Sequence, residues 1–336
     1  MYKRQTELHC RRQHIRKLIQ GLAPLALLLA GCAEGVASAE AEASPTPAPA
    51  PTSEPVVRSG ETTFEDVLAE YQEFNQRLAR VAAPLRLENA KLCPRTRRDP
   101  GFTIHRLEDC PKSIRPMAET HLGIRSDGLY VRAVRPGTSA AKALIEPGDQ
   151  ILAVNENPIS EEPLMQSYNR AVLRNGFDSV LSKVKIRTKD GKEYLARIRP
   201  NTACDIPAKV IFSQDVNGHT DGREVLITSA LMRAVPDDTN LALVIAHEMS
   251  HVIAGHFNHA PSQALELEAD KMALVLMAKA GYDIEAAVSF WESAAHPHDG
   301  GQSQQSSHPS TQARYKNFQA ELKRIKTHGN IETLGF

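Results

Sequence analysis

The sequence LALVIAHEMSH, residues 241–251, joins an apolar run to a His-Glu-x-x-His motif. On a helix, side chains four residues apart share a face, so His247 and His251 can bind one metal ion with Glu248 beside it. A zinc hydrolase uses this arrangement, in which the carboxylate takes a proton from water at the metal. The same motif also occurs as a solvated helix face, so the site depends on further ligands.

A third metal ligand would distinguish between classes of zinc hydrolase. A metzincin places Gly and His three and six residues after the motif, but this chain has Ala254 and Phe257 there. The sequence ELEAD, residues 266–270, opens a second apolar helical run and offers carboxylates instead. Glu266 and Asp270 share a face, so Glu266 can bind the metal while Asp270 orients a ligand histidine. The alternative is that both are exposed charges on an amphipathic helix.

Three features together resemble one known family: the His-Glu-x-x-His motif, His256 five residues after it, and the Glu-x-x-Ala-Asp sequence. The gluzincin family that includes CAAX prenyl proteases, HtpX and BepA-like proteases has this combination, and the similarity covers roughly residues 205–325. It implies a zinc endopeptidase with one zinc ion per chain. By this resemblance the zinc ligands are His247, His251 and Glu266, the base is Glu248, and Asp270 supports a ligand.

A later segment, His308-Pro309 followed by Arg314, is similar to the His-Pro…Arg segment of that family. In BepA-like members a histidine of this segment can occupy the open position of the metal, and His308 is the matching residue. His308, Arg314 and Tyr315 all stay candidates for stabilising the oxyanion. The substrate is expected to add as a strand along residues 223–229, which also fit an ordinary core strand.

The amino terminus indicates the compartment. Residues 1–31 have a basic start and a short apolar stretch, and LAGC at 29–32 matches a bacterial lipobox. This predicts a lipoprotein signal peptide, acylation of Cys32 and a lipid anchor in the bacterial cell envelope. The alternative is a simple cleaved signal with an incidental cysteine. Ala33 stands where an inner-membrane retention signal usually has Asp, which favours the outer membrane, facing the periplasm.

Two segments precede the folded domains. Residues 32–60 are rich in Ala, Pro, Glu and Ser, which predicts a disordered tether. Residues 61–114 contain a helical repeat, expected to pack on the core, and a polar loop bracketed by cysteines. We expect a disulfide between Cys93 and Cys110, with Cys204 left unpaired or paired with either of them.

Residues 115–200 resemble a PDZ domain, and the most specific match is EPGDQIL at 146–152. In that family the backbone corresponding to Leu122, Gly123 and Ile124 binds the terminal carboxylate of a peptide, which adds to the sheet edge. The resemblance therefore implies peptide carboxy termini as partners. The alternative is a PDZ fold that serves only as a spacer or a lid.

The chain has 40 basic and 40 acidic residues and no basic patch interleaved with aromatic residues, so nucleic acid is not expected as a partner. We predict an α+β fold: a mainly helical metallopeptidase domain with a small sheet at 201–336, and a PDZ domain with a β-sandwich or barrel and two helices. The predicted function is zinc-dependent hydrolysis of unfolded or damaged envelope proteins. Two alternatives stay open: an envelope chaperone or adaptor with a silent metal site, and a protease that His308 or the PDZ domain blocks until a peptide arrives.

Overall fold

Helices and small sheets make up the described part of the chain, so the α+β fold class is confirmed. None of the helices in this part is long and apolar enough to cross a membrane. The computed structural model describes residues 63–110, 112, 115–124, 128–295 and 309–335. Outside these residues lie the predicted signal peptide and tether, and with them Cys32 and His308.

A long first helix, α1 (Phe64–Glu88), connects the two halves of the molecule. It begins at a capping box, in which the Thr63 hydroxyl accepts from the Asp66 N–H and the Asp66 carboxylate accepts from the Thr63 N–H. Leu68 packs against the middle part of the chain. The rest of the apolar face, spaced by three and four residues, enters the C-terminal core through Tyr71, Phe74, Leu78, Val81 and Leu85.

Strands and short helices alternate through the middle part. The strands are β1 (Thr96–Asp99), β2 (Phe102–His105), β3 (Leu129–Val134), β4 (Gln150–Val154), β5 (Asn157–Pro158), β6 (Ser182–Arg187), β7 (Glu193–Ile198) and β8 (Asn201–Cys204). The helices are α2 (Arg115–Leu122), α3 (Ser139–Lys142) and α4 (Gln166–Phe177). One antiparallel sheet has the order β2-β3-β4-β6-β7, with β5 on β4. Its first strand therefore lies before residue 115, where the sequence placed the start of this domain.

Strand β1 pairs with β8 in a separate antiparallel ladder, and this pairing decides the disulfide. Thr96 is the register partner of Cys204, so Cys93 lies close to that residue at the end of the ladder. The disulfide joins Cys93 to Cys204. The prediction of Cys93–Cys110 is wrong, because Cys110 is a buried free thiol in a different cluster, beside Leu68.

The C-terminal part is mainly helical around a small sheet. The strands are β9 (Ala208–Ile211), β10 (Gly218–Thr220) and β11 (Val225–Thr228), in the order β10-β11-β9. The helices are α5 (Ser229–Ala234), α6 (Asp238–Ile253), α7 (Gln263–Lys279), α8 (Ile284–Ala295) and α9 (Thr311–His328). Helix α6 packs between β10 and α7, and α9 packs on α7 and α8. This arrangement brings the motif on α6 opposite the carboxylates on α7.

Candidate metal centre and peptide-binding edge

Helix α6 is fixed at both ends, which holds its histidines in place. The Asp237 side chain caps it by accepting from the Asn240 N–H. Asp238 in its first turn pairs with Arg77 of α1 at 2.8 Å. The helix ends just before Gly255, which has a left-handed backbone (φ +70°) that favours glycine.

The three predicted ligands meet between α6 and α7. His247, His251 and Glu266 each offer one ligand atom, and these atoms lie within 4.8 Å of one another. The two Nε2 atoms are 3.2 Å apart, and the Glu266 carboxylate oxygens lie 3.4 Å from Nε2 of His247 and 3.6 Å from Nε2 of His251. Ligands bonded to a tetrahedral zinc at about 2.1 Å stand roughly 3.4 Å apart. Both the spacing and the set of two imidazoles with one carboxylate therefore fit zinc.

Glu248 lies beside this ligand set and is only 5% exposed. Its position follows from the helix, since it comes one residue after His247 and three before His251. A carboxylate in a mostly buried setting next to a metal is placed to exchange protons with water at that metal. The structure thus brings the three predicted ligands together, with the predicted base Glu248 next to them on α6.

Asp270 and Arg314 support His247 from behind. The Asp270 carboxylate lies 3.0 Å from Nδ1 of His247, on the ring edge away from Glu266. Arg314 donates to both oxygens of that carboxylate, from Nε at 2.9 Å and from Nη2 at 2.5 Å, and stacks over Trp291 at 4.3 Å. Asp270 is fully buried, and the guanidinium keeps its pKa low despite that burial.

These contacts determine the role of Arg314. The sequence left Arg314 as a candidate for stabilising the oxyanion. The structure places its donors on Asp270 and, at 3.4 Å, near Nδ1 of His247. A metal on Nε2 lies on the other side of the ring, so this position suits a support for the ligand and not an oxyanion donor. Tyr315 accepts a hydrogen bond from Gln319 at 2.8 Å, and this contact lies on the exposed side of α9.

The two ligand histidines hold protons very differently in the metal-free chain. Burial alone would lower the pKa of His247, but hydrogen bonds to Asp270 and Glu266 outweigh it and raise that pKa to about 9. Burial, together with the charge on His247, lowers the pKa of His251 to about 3. Only neutral imidazole binds a metal, so metal binding must release the proton held by His247.

His256 and Glu268 form a second support that sequence reasoning missed. Nδ1 of His256 lies 2.9 Å from Nδ1 of His251, and Nε2 of His256 lies 3.5 Å from the Glu268 carboxylate. Glu268 is half exposed, whereas His256 is buried. The available signal was the left-handed Gly255, which turns the chain back so that His256 packs against the helix it has just left.

The predicted substrate strand at residues 223–229 is wrong. The strand in this range, β11, lies between β10 and β9 and is hydrogen-bonded to a strand on each side. Among the residues that the structure describes, β10 pairs with β11 alone, so it is the edge of this sheet beside the metal helix. It lies against α6 at Gly218, where a Cβ atom would come within 2.7 Å of a Val244 methyl group.

The predicted carboxylate-binding residues Leu122, Gly123 and Ile124 lie at the end of α2 and directly after it, and not on strand β2. The side chains of Leu122 and Ile124 are buried, and the Ile124 N–H donates to the Ala118 carbonyl at 3.1 Å. The next strand along the chain, β3, is paired with β2 on one side and with β4 on the other, so it has no open edge. Within the described residues β2 pairs with β3 alone, so β2 is the edge to which a peptide can add.

The loop before β2 contains a buried ion cluster. The Asp99 carboxylate contacts Arg135 at 2.7 Å and Arg86 at 3.1 Å. It also accepts the Gly101 N–H at 2.9 Å. Burial raises the pKa of Asp99, but the two guanidinium groups outweigh it and keep the pKa below 3.8. This cluster joins α1, through Arg86, to the start of the edge strand.

Models of known protein families match both the middle part and the C-terminal part of the chain. Residues 92–171 match the model of the PDZ domain, and residues 212–265 and 257–322 match that of peptidase family M48. The PDZ match thus includes β1 and β2. Nineteen chains of solved structures are similar. One is the crystal structure of the HtrA3 PDZ domain bound to a phage-derived ligand (FGRWV), with 23% identity over 32% of this chain and 89% of that chain and a TM-score of 0.23. No curated protein matches the chain.

Proposed function

We propose that this chain, which carries a PDZ domain and a metallopeptidase domain of family M48, is a zinc-dependent endopeptidase of the bacterial cell envelope. One observation carries the proposal: the ligand atoms of His247, His251 and Glu266 have the mutual spacing of ligands around a tetrahedral zinc, with Glu248 beside them. The substrates proposed are unfolded or damaged envelope proteins.

The mechanism follows from the positions of these side chains. A bound zinc ion would polarise the scissile carbonyl and lower the pKa of a water molecule. Glu248 takes the proton of that water as it attacks the peptide carbon, and then delivers it to the departing amine, so the proton balance closes. Asp270 fixes the ring of His247 so that Nε2 faces the metal, and Arg314 keeps Asp270 ionised in its buried position.

The free edge of β10 is the proposed platform for the substrate beside the metal centre. An extended polypeptide binds well to an unpaired strand because its backbone groups gain partners. Strand β10 lies against α6, the helix that carries Glu248. A segment that pairs with β10 would therefore run alongside the catalytic carboxylate.

The PDZ domain is proposed to hold the same kind of polypeptide at a second place, along β2. Helix α1 ties β3, the strand that pairs with β2, to the catalytic part, because Gln76 accepts from the Val134 N–H while Arg77 pairs with Asp238 at the start of α6. Substrate held at the PDZ edge would thus stay at a fixed distance from the metal.

The envelope location is supported by the lipobox at residues 29–32 and by a disulfide in the folded part. Disulfides persist in oxidising compartments such as the bacterial periplasm. The proposal includes a lipid anchor on Cys32 in the outer membrane, facing the periplasm. Growth with labelled fatty acid, followed by mass spectrometry of the native chain and of Cys32→Ala, tests this anchor directly.

A second candidate is an envelope adaptor or chaperone in which the metal site is silent or blocked. The open edge of β2 favours it, because strand addition needs no catalysis. Replacement of Glu248 distinguishes the two functions. An adaptor keeps its function when Glu248 is replaced by Gln, whereas a protease loses it.

The test uses a soluble form that lacks residues 1–32, loaded with zinc, and its Glu248→Gln variant. Both are incubated with reduced, carboxymethylated lactalbumin, and the products are read by mass spectrometry. Cleavage by the first form alone supports the endopeptidase. Equal cleavage by both forms, or no cleavage by either with zinc bound, rejects the proposed mechanism.

A further inference from the structure

The end of the PDZ edge strand is where a terminal carboxylate would have to bind. A peptide that runs antiparallel to β2 brings its carboxyl end to the loop Asp99-Pro100-Gly101, which directly precedes the strand. Capture of a free carboxylate requires backbone N–H groups or cations with unused donors at that point. The contacts of this loop therefore decide which part of a polypeptide the edge can accept.

The loop has few backbone donors to offer. Pro100 has no N–H. The Gly101 N–H donates to the Asp99 carboxylate at 2.9 Å. The chain thus places its own carboxylate on a donor that a ligand carboxylate would need.

The two nearby arginines both contact the same internal carboxylate. Arg135 contacts it through Nη1 at 2.7 Å, and Arg86 through Nη1 at 3.1 Å. Nε and Nη2 of Arg86 donate to the Cys204 carbonyl. Asp99 is only 4% exposed. A ligand carboxylate there would lose its hydration and would meet the charge of Asp99 as well as the two guanidinium charges, so the cluster attracts it less than two unpaired cations would.

We infer that the PDZ edge at β2 binds internal extended segments of a polypeptide and does not select free carboxy termini. This inference rests on the proposed function of the PDZ edge as a polypeptide-binding site. It replaces the carboxy-terminal specificity implied by sequence resemblance. It also suits an endopeptidase, because an internal segment can pass along β2 with chain continuing at both ends.

One guanidinium nitrogen of this cluster decides how the test is designed. Nη2 of Arg135 is buried and has no hydrogen-bond partner among the described residues. A ligand carboxylate that reached it would gain a charge-assisted hydrogen bond. The experiment must therefore separate the carboxylate from the rest of the peptide.

The test uses short peptides tiled along β-casein, each made once with a free carboxy terminus and once as the amide. Binding is measured by fluorescence anisotropy with the soluble Glu248→Gln form, which keeps the peptides intact. Ile104→Glu, on β2, identifies binding at the edge, and Leu195→Glu, an exposed apolar residue on β7, is the matched control. Circular dichroism of both variants checks that they are folded.

The inference expects acid and amide to bind within about twofold of each other, with binding lost in Ile104→Glu and kept in Leu195→Glu. A preference for the free acid of about tenfold or more, the size of one charge-assisted hydrogen bond, would overturn it while leaving peptide binding intact. If no peptide binds, or if Ile104→Glu binds as well as the unchanged chain, the proposed PDZ role fails as well. Proteolysis at the metal centre is measured separately.

Discussion

The Nδ1 atoms of His251 and His256 lie 2.9 Å apart, with both rings buried. Nε2 of His251 faces Glu266, so for metal binding the proton of His251 must be on Nδ1 and be donated to His256. The other ligand, His247, donates instead to the carboxylate of Asp270. The two ligand histidines are therefore oriented by different chemistry, one by a neutral ring and the other by an ion pair.

Replacing His256 with Ala should weaken zinc binding by about 10-fold to 100-fold, as loss of a partner that orients a ligand does. The dissociation constant is measured by competition with a chromogenic chelator. His259→Ala is the matched control, because this histidine is nearby but exposed. Equal zinc affinity in His256→Ala and the native chain would show that His256 does not orient His251.

Replacing Arg314 with Ala should lower the free energy of unfolding by about 3 kcal/mol, because it removes the guanidinium that donates to both oxygens of the fully buried Asp270. Lys326→Ala, on the same helix, breaks an exposed pair with Glu285 and should change stability by less than about 0.5 kcal/mol. Urea unfolding of the metal-free proteins measures both. Similar small losses in the two variants would mean that the Arg314–Asp270 pair contributes little to stability.

The Asp99 cluster should make stability depend on pH in the acid range. Because the folded pKa lies below 3.8, ionised Asp99 stabilises the fold above that pH, and the contribution disappears as pH falls through the lower folded value. The difference in unfolding free energy between the native chain and Asp99→Asn should be constant near neutral pH and shrink below about pH 4. A difference for Asp99→Asn that does not change with pH would contradict the ion cluster.

Reduction should destabilise the protein through Cys93–Cys204, a bond that closes a loop with a sequence separation of 111 residues. The expected loss is about 2–5 kcal/mol. Dithiothreitol should lower the melting temperature of the native chain and of Cys110→Ser by the same amount. It should have no effect on Cys93→Ser. Loss of the effect in Cys110→Ser would mean that the pairing is different.

The metal site could be predicted because its residues are spaced so that they share one face of a helix. His247 and His251 are four apart on α6, and Glu266 and Asp270 are four apart on α7, so each pair shares a helix face before any tertiary contact is known. The apolar runs in both helices then predict that these faces meet in a core.

The disulfide and the two sheet edges could not be predicted in the same way. Cys93 meets Cys204 because β1 pairs with β8, and that pairing joins residues about a hundred positions apart. Strand β2 is the edge of the PDZ sheet although a long segment with helix α2 separates it from its neighbour β3. Such long-range pairings leave no periodic signal in one sequence. The turn that returns His256 to the site was missed as well, although Gly255 directly after a helix is a local signal for it.

The most direct test of the metal centre is the zinc content of the soluble chain, measured by plasma mass spectrometry after dialysis against a weak chelator. The account predicts one zinc ion per chain for the native form. It predicts strong loss of zinc in Glu266→Gln and none in Glu285→Gln, an exposed carboxylate on α8. Full zinc occupancy in Glu266→Gln, or no zinc in the native chain, would contradict the assignment of His247, His251 and Glu266 as the ligands.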